Sequence, residues 1–147
     1  MPNLLFKRVI RKAKEQIRAK KLLDEDVQET IRWVVLKQDY QAVTVAENQI
    51  IYVERDKLYR NKYIVHLKDG TFLETSTQLK EIKELCSDNL VYSHRNYLVN
   101  ILYITAIQPE GHISKSYNIS LVHTSDKVPL TRKNYSEAPD VFFRFLV

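Results

Sequence analysis

The alternation of apolar and polar residues divides the chain into a helical beginning and a mostly β remainder. Residues 3–22 contain no Gly or Pro, and their apolar positions, from Phe6 to Ile17, repeat with helical spacing. From residue 31 the period falls toward two, in short runs rich in Val, Ile, Tyr and Thr. The pattern therefore predicts a mainly β fold, a sandwich or barrel-like assembly of strands, preceded by an amphipathic helix.

Turn residues separate the short apolar runs and mark where each predicted strand ends. Among them, Lys68-Asp69-Gly70 predicts a hairpin, because Asp-Gly readily supplies the positive φ angles of a type I′ turn. The strands are predicted at residues 31–36, 40–45, 50–53, 63–67, 71–73, 90–92, 102–107, 117–122 and 127–130.

One helix is predicted to interrupt the strands, over residues 76–86. Leu79 and Cys86 belong to its apolar face, and Ser or Thr is available to cap its start. The tail, residues 132–147, is predicted to form a short helix, a break at Pro139 and a final apolar segment.

The positive charge of the chain is concentrated in the predicted N-terminal helix. The net charge is +5, yet residues 1–23 hold eight basic residues and one acidic residue, whereas residues 24–147 hold 15 basic and 17 acidic residues. We therefore expect two parts, a basic helix or linker at residues 1–30 and a domain at residues 31–147. The net charge favours anionic partners for the helix and not for the domain.

Composition excludes several classes of protein. The chain has two Gly, too few for a Gly-rich phosphate loop, and one Cys, which excludes a disulfide scaffold and suits a reducing cytoplasm. Cys86 is expected to be an inert core thiol, and no nucleophile–base pair is recognisable. The histidines, His66, His94, His112 and His123, lack the spacing of metal ligands. We expect no enzyme activity, no metal and no cofactor.

Polar and basic residues cluster in three segments between apolar runs: residues 60–62, 94–96 and 131–135. Arg can pair in a bidentate manner with guanine O6 and N7, and Asn can pair likewise with adenine. Composition alone leaves two interpretations open, namely exposed loops that read base edges or ordinary solvated loops.

Residues from about 40 to 135 resemble the LytTR family of bacterial DNA-binding domains. The most specific piece is the segment from Tyr92 to Asn100, Tyr-Ser-His-Arg-Asn-Tyr-Leu-Val-Asn, which resembles the family signature His-Arg-Ser-x-x-Val-Asn. Asn96 departs from it, because the signature has Ser or Thr there. The other matching pieces follow the family's order at residues 50–54, 63–70, 76–85, 104–107 and 128–132.

The resemblance implies an elongated assembly of about ten short strands with one embedded helix. It also implies that loops, rather than a recognition helix, enter successive major grooves and that the DNA bends. Carried over by position, the base-contacting residues are Asn61, Arg95 and Arg132. The loop before Tyr63 is about one residue longer than is usual in the family. The residues implied as phosphate or positioning contacts are Arg60, Lys62, His94, Asn96, Lys133 and Tyr135.

The function expected from the resemblance is sequence-specific transcription regulation in the bacterial cytoplasm. The expected partner is double-stranded promoter DNA with direct repeats, bound by a homodimer. A membrane-bound inhibitor and RNA polymerase are further expected partners. About 30 residues precede the β region, too few for a phosphoacceptor domain, so we expect a stand-alone regulator or an excised portion of one.

The basic N-terminal helix leaves several interpretations open. It could neutralise DNA phosphates, mediate dimerisation, dock on a membrane surface or inhibitor, or pack on the β domain as a linker. The alternative function is therefore a β adaptor domain that binds no DNA and docks on a protein or membrane through this helix.

Overall fold

The structure, a computed structural model, describes residues 30–111 and 116–147. The chain divides into two units, Met1–Ile31 and Arg32–Val147, and the described residues belong almost entirely to the second. The predicted basic helix lies outside the described residues, as does His112. In the part that is described, no helix is long and apolar enough to span a membrane.

The described residues confirm the mainly β fold, with ten strands and a few short helices. The strands are β1 Trp33–Gln38, β2 Gln41–Ala46, β3 Ile50–Arg55, β4 Tyr63–Leu67, β5 Phe72–Thr75, β6 Leu90–His94, β7 Tyr97–Asn100, β8 Ile104–Pro109, β9 Ser116–Leu121 and β10 Lys127–Thr131. The helices are α1 Leu79–Leu85, α2 Arg132–Glu137 and α3 Pro139–Phe142, with single 3₁₀ turns at Glu47–Gln49, Ile101–Tyr103 and Phe143–Phe145.

The strands form three antiparallel sheets. A central sheet has the order β5-β4-β3-β7-β6, and it is accompanied by the β1-β2 hairpin and by a sheet of order β10-β9-β8. One hydrophobic core combines the central sheet with β1, β2 and α1. A second core combines the central sheet with β8, β9, β10 and the C-terminal residues. The central sheet is therefore apolar on both faces.

A β-bulge in β3 distributes its side chains between the two cores. The register with β4 shifts between Ile50 and Tyr52. Because a bulge inserts an extra residue, Ile51 and Tyr52 both belong to the second core, whereas Ile50 and Val53 belong to the first. This strand is buried from Ile50 to Val53, as expected of a strand covered on both faces.

The hairpin between β4 and β5 was predicted correctly, but its turn type was wrong. A type I′ turn needs positive φ at both central residues, and in this turn only Gly70 has one, at 92°. The Gly70 N–H donates to the Leu67 carbonyl at 3.0 Å, and the Asp69 carboxylate accepts from the Thr71 N–H at 2.9 Å. This is the three-residue loop in which the turn is followed by a left-handed glycine.

The start of α1 also differs from the prediction. Gln78, rather than Ser or Thr, caps α1, in a reciprocal capping box with Glu81. Thr77 is occupied instead by the Lys37 N–H, which donates to its hydroxyl at 2.8 Å. The predicted break at Pro139 is confirmed, because α2 ends at Glu137 and Pro139 begins α3, where its fixed φ suits the first turn.

Candidate nucleic-acid interface

The loop between β3 and β4 is held in a defined conformation by Asp56. Its carboxylate accepts from the Leu58 N–H at 2.8 Å and from the Tyr59 N–H at 3.2 Å. The loop is closed by the Asp56 N–H, which donates to the Lys62 carbonyl at 2.9 Å. Asn61 is exposed and has φ 60°, a left-handed conformation that Asn tolerates better than most residues.

The basic side chains that flank Asn61 differ in their freedom. Arg60 is exposed. Lys62 is half-buried, and its Nζ lies 4.0 Å from Oε1 of Glu74 on β5. Lys62 is therefore directed toward β5, whereas Arg60, like Lys57 earlier in the loop, is exposed to solvent.

A tight turn, Arg95-Asn96, joins β6 to β7 and leaves Arg95 exposed. The Asn96 N–H donates to Nδ1 of His94 at 3.0 Å. Since Nδ1 accepts, the neutral ring carries its proton on Nε2. Burial lowers the pKa of His94 below its ordinary value, and the positive charge of Arg95 lowers it further. His94 can therefore offer an Nε2–H donor, and its ring edge packs against Tyr97 with centroids 5.4 Å apart.

The β3–β4 loop and the β6–β7 turn lie side by side. Strand β3 pairs with β7, with Glu54 opposite Tyr97, and the Arg55 N–H donates to the Asn96 carbonyl at 3.0 Å. The open cleft between them measures about 410 Å³ and is lined by residues 55–60 together with Asn96. Two of the three polar segments that the sequence indicated are thus adjacent.

The third segment begins where β10 runs into α2. The Thr131 hydroxyl accepts from the Asn134 N–H at 3.1 Å, which caps the helix and exposes Arg132 and Lys133 in its first turn. Strand β10 and helix α2 pack against β6, the strand that ends at His94. The third segment therefore lies against β6, the strand that leads into the β6–β7 turn.

Tyr135 occupies a different position from the other implied contact residues. Its half-buried ring stacks between Tyr117, at a centroid distance of 5.5 Å, and Phe142, at 6.4 Å. In this position the ring packs α2 against the second core.

Two exposed residues of the β3–β4 loop were not singled out from the sequence. Leu58 and Tyr59 lie between the strands predicted at residues 50–53 and 63–67, and both are exposed on the loop. The signal that could have identified them is their place between Lys57 and Arg60, because an apolar pair between two cations is unusual for a buried strand.

The other titratable side chains that the sequence singled out, Cys86 and His66, are wholly or partly buried. Cys86 is buried as predicted, and burial raises the pKa of its thiol to about 12. His66 is half-buried on β4, with Nε2 2.7 Å from Oε2 of Glu54. Across residues 30–111 and 116–147, no three His, Cys, Asp or Glu side chains are grouped so that they could hold a metal ion.

A buried carboxylate that the sequence did not indicate supports the loop after α1. Oε1 of Glu47 accepts from the Ser87 N–H at 2.7 Å, and its other oxygen accepts from the Ser87 hydroxyl. Arg32 Nε lies 3.7 Å from the same carboxylate. Glu47 was missed because its partner is 40 residues away in sequence.

Comparison with known proteins agrees with this fold. The model of the LytTr DNA-binding domain matches residues 40–142. Among solved structures, the chain is similar to a LytTr DNA-binding domain from a protein described as a methyl-accepting/DNA response regulator of Bacillus cereus. That match has a TM-score of 0.60 and 22% identity, and covers 75% of this chain and 95% of the other. No curated protein matches the chain. Since the family model covers more than half of its length, the chain belongs to the LytTR family of DNA-binding domains, which is a family of DNA-binding proteins rather than of enzymes.

Proposed function

We propose that this DNA-binding domain is a sequence-specific transcription regulator that reads major grooves through three loops. The observation that supports this most directly is the hydrogen bond from the Arg55 N–H to the Asn96 carbonyl, at 3.0 Å. It joins the β3–β4 loop to the β6–β7 turn, so that Asn61 and Arg95 extend from one continuous, ordered surface. Preorganised loops lose little conformational entropy on binding.

In this proposal each loop supplies one base-reading side chain. The guanidinium groups of Arg95 and Arg132 bind guanine O6 and N7, and the amide of Asn61 pairs with adenine. The Nε2–H of neutral His94 donates to a phosphate oxygen beside Arg95. Among the other residues implied by the family, Arg60, Lys62 and Lys133 neutralise phosphates. Asn96 positions the β6–β7 turn, and Tyr135 positions the segment at residues 131–135.

The proposed partner is promoter DNA with paired direct repeats, bound by two copies of the chain in the bacterial cytoplasm. Repeats spaced by one helical turn would present both half-sites on the same side of the duplex. A membrane-bound inhibitor and RNA polymerase are partners proposed from the family resemblance alone. The adaptor alternative depends on residues 1–30, nearly all outside the described part, and no contact among the described residues favours it.

Selection of bound sequences from a random DNA pool tests this proposal. Arg95→Ala and Arg132→Ala should each weaken binding to the selected site by about 1–3 kcal/mol and relax the preference at one base pair. Binding to random duplexes should change little, because base contacts contribute to specific binding alone. Lys80→Ala is the matched control, since Lys80 is an exposed cation on α1 and belongs to none of the three loops.

Asn61 requires its own substitution because of its backbone. Asn61→Gly removes the amide and keeps φ at 60° accessible, whereas Ala would strain the loop. A loss of preference at one base pair in Asn61→Gly, without a change in thermal stability, is the expected result. Equal losses on selected and random DNA for all three variants would contradict base reading and leave phosphate contact alone.

A further inference from the structure

The tip of the β3–β4 loop presents two apolar side chains to solvent. Leu58 is 85% exposed and Tyr59 is 62% exposed. Single exposed apolar residues are common on protein surfaces and need no explanation. These two are adjacent, they lie on a loop whose backbone Asp56 holds through two hydrogen bonds, and they line the cleft beside Asn96.

The charge around this pair indicates what kind of surface it meets. Arg55, Lys57, Arg60 and Lys62 flank the pair in sequence, with Lys62 4.0 Å from Glu74, and Asp56 is the one acidic residue between positions 55 and 62. The Asp56 carboxylate is already engaged by backbone N–H groups. An apolar tip within a cationic segment is complementary to a surface that has both negative charge and exposed apolar groups. The DNA major groove is such a surface, because phosphates flank it and thymine methyl groups project into it.

We infer that Leu58 and Tyr59 are base-contacting residues that pack on thymine 5-methyl groups in the major groove. This inference rests on the proposed function and adds an apolar contact to the polar ones at Asn61 and Arg95. The thymine methyl is the apolar group that base pairs expose in the major groove. Lys57 and Arg60 bind the phosphates on either side and hold the tip in the groove.

The conformation of the loop makes this contact favourable. The N–H groups of Leu58 and Tyr59 are both held by the Asp56 side chain, and the loop is closed by the bond from Asp56 to Lys62. Since the backbone is ordered before binding, little further entropy is lost when the tip enters the groove. Burying one methyl group changes affinity by about fourfold, so each thymine contact is measurable.

Replacement of thymine by uracil tests the inference, because it removes the methyl group and keeps base pairing. In the selected site each thymine is replaced in turn. The wild-type chain should bind about fourfold more weakly when a contacted thymine is replaced, and should be indifferent elsewhere. Leu58→Ala and Tyr59→Ala should bind the thymine site about five- to twentyfold more weakly and should no longer distinguish uracil at the contacted position.

Leu102→Ala is the matched control. Leu102 is also exposed, at 62%, and lies in the 3₁₀ turn that follows β7. The β6–β7 turn is at the other end of β7, so Leu102 is remote from the proposed DNA contacts. This variant should bind like the wild type, and all three variants should have the wild-type melting temperature because their side chains are exposed.

The possible failures are distinguishable. If Leu58→Ala and Tyr59→Ala keep the wild-type discrimination between thymine and uracil, the thymine contact is overturned and the proposed function stands. The same conclusion follows if they lose affinity but uracil replacement has no effect on the wild type. If the wild-type chain selects no DNA sequence, the proposed function fails, and this inference fails with it.

Discussion

At the scale of the residue, the structure indicates both the protonation state and the tautomer of His94. Its Nδ1 accepts from the Asn96 N–H, and burial together with Arg95 lowers its pKa. Both observations favour the neutral ring with the proton on Nε2. The hydrogen bond from Asn96 that holds the β6–β7 turn therefore requires His94 to be unprotonated at Nδ1.

The stability of the domain should fall in acid through His94. Because its folded pKa lies below the unfolded value of 6.5, the folded state binds fewer protons as the pH falls through 6.5. The stability contributed by neutral His94 is complete above 6.5 and is lost as the pH falls toward the folded pKa. We expect NMR titration to give a pKa for His94 below 6.5, and the stability advantage of the wild type over His94→Gln to shrink over the same range. A measured pKa at or above 6.5 would contradict the neutral assignment.

At the scale of the element, turns with left-handed residues set the hairpins. Positive φ angles occur at Asp39 in the β1–β2 turn, at Asn61 in the β3–β4 loop and at Gly70 in the β4–β5 turn. The Gly70 turn is closed on both sides, since the Leu67 N–H also donates to the Thr71 carbonyl at 2.9 Å. A residue that disfavours φ of 92° should therefore weaken the hairpin itself.

Gly70→Ala should lower the free energy of unfolding by about 1–2 kcal/mol, from the cost of a left-handed conformation alone. A Cβ at this position would meet no atom within 4 Å, so steric conflict with neighbours adds nothing. Denaturant unfolding should show a lower midpoint with an unchanged m-value. Gly70→Asn should lose less, because Asn adopts this conformation more readily, and equal losses for the two variants would point to another cause.

At the scale of the whole molecule, the Arg32–Val147 unit is organised around a sheet with two cores. Val53 and Leu98 belong to one core, while Ile51 and Val99 belong to the other. This unit carries 15 basic and 13 acidic residues, a net charge of +2, because the acidic residues at positions 24–29 belong to the preceding unit. A charge this small provides little long-range attraction for DNA, so affinity depends on the local cations of the loops.

Phe142 tests how far the second core extends along the chain. It is fully buried and packs with β8, β9 and β10 residues, so Phe142→Ala should cost about 3–5 kcal/mol. Phe143 is the matched control, because it is 68% exposed and Phe143→Ala should change stability by about 0.5 kcal/mol or less. Since both cores share the central sheet, chemical denaturation should remain a single transition. A loss confined to the C-terminal segment would show that this segment unfolds independently.

The sequence by itself determined nine of the ten strands approximately, the helix predicted at residues 76–86 and observed at Leu79–Leu85, and the polar character of the three segments. Alternation, turn residues and short motifs are local properties, and a strand such as Tyr63–Leu67 can be predicted from its own residues. The exception is the short strand β7, Tyr97–Asn100, which was not predicted, because its four residues directly follow the polar segment at residues 94–96.

Only the tertiary structure decided which segments meet. The pairing of β3 with β7, the Arg55–Asn96 hydrogen bond and the stacking of Tyr135 on Tyr117 all join residues that are distant in sequence. Such contacts depend on how the faces of the sheets pack together, and local propensity carries no information about that packing.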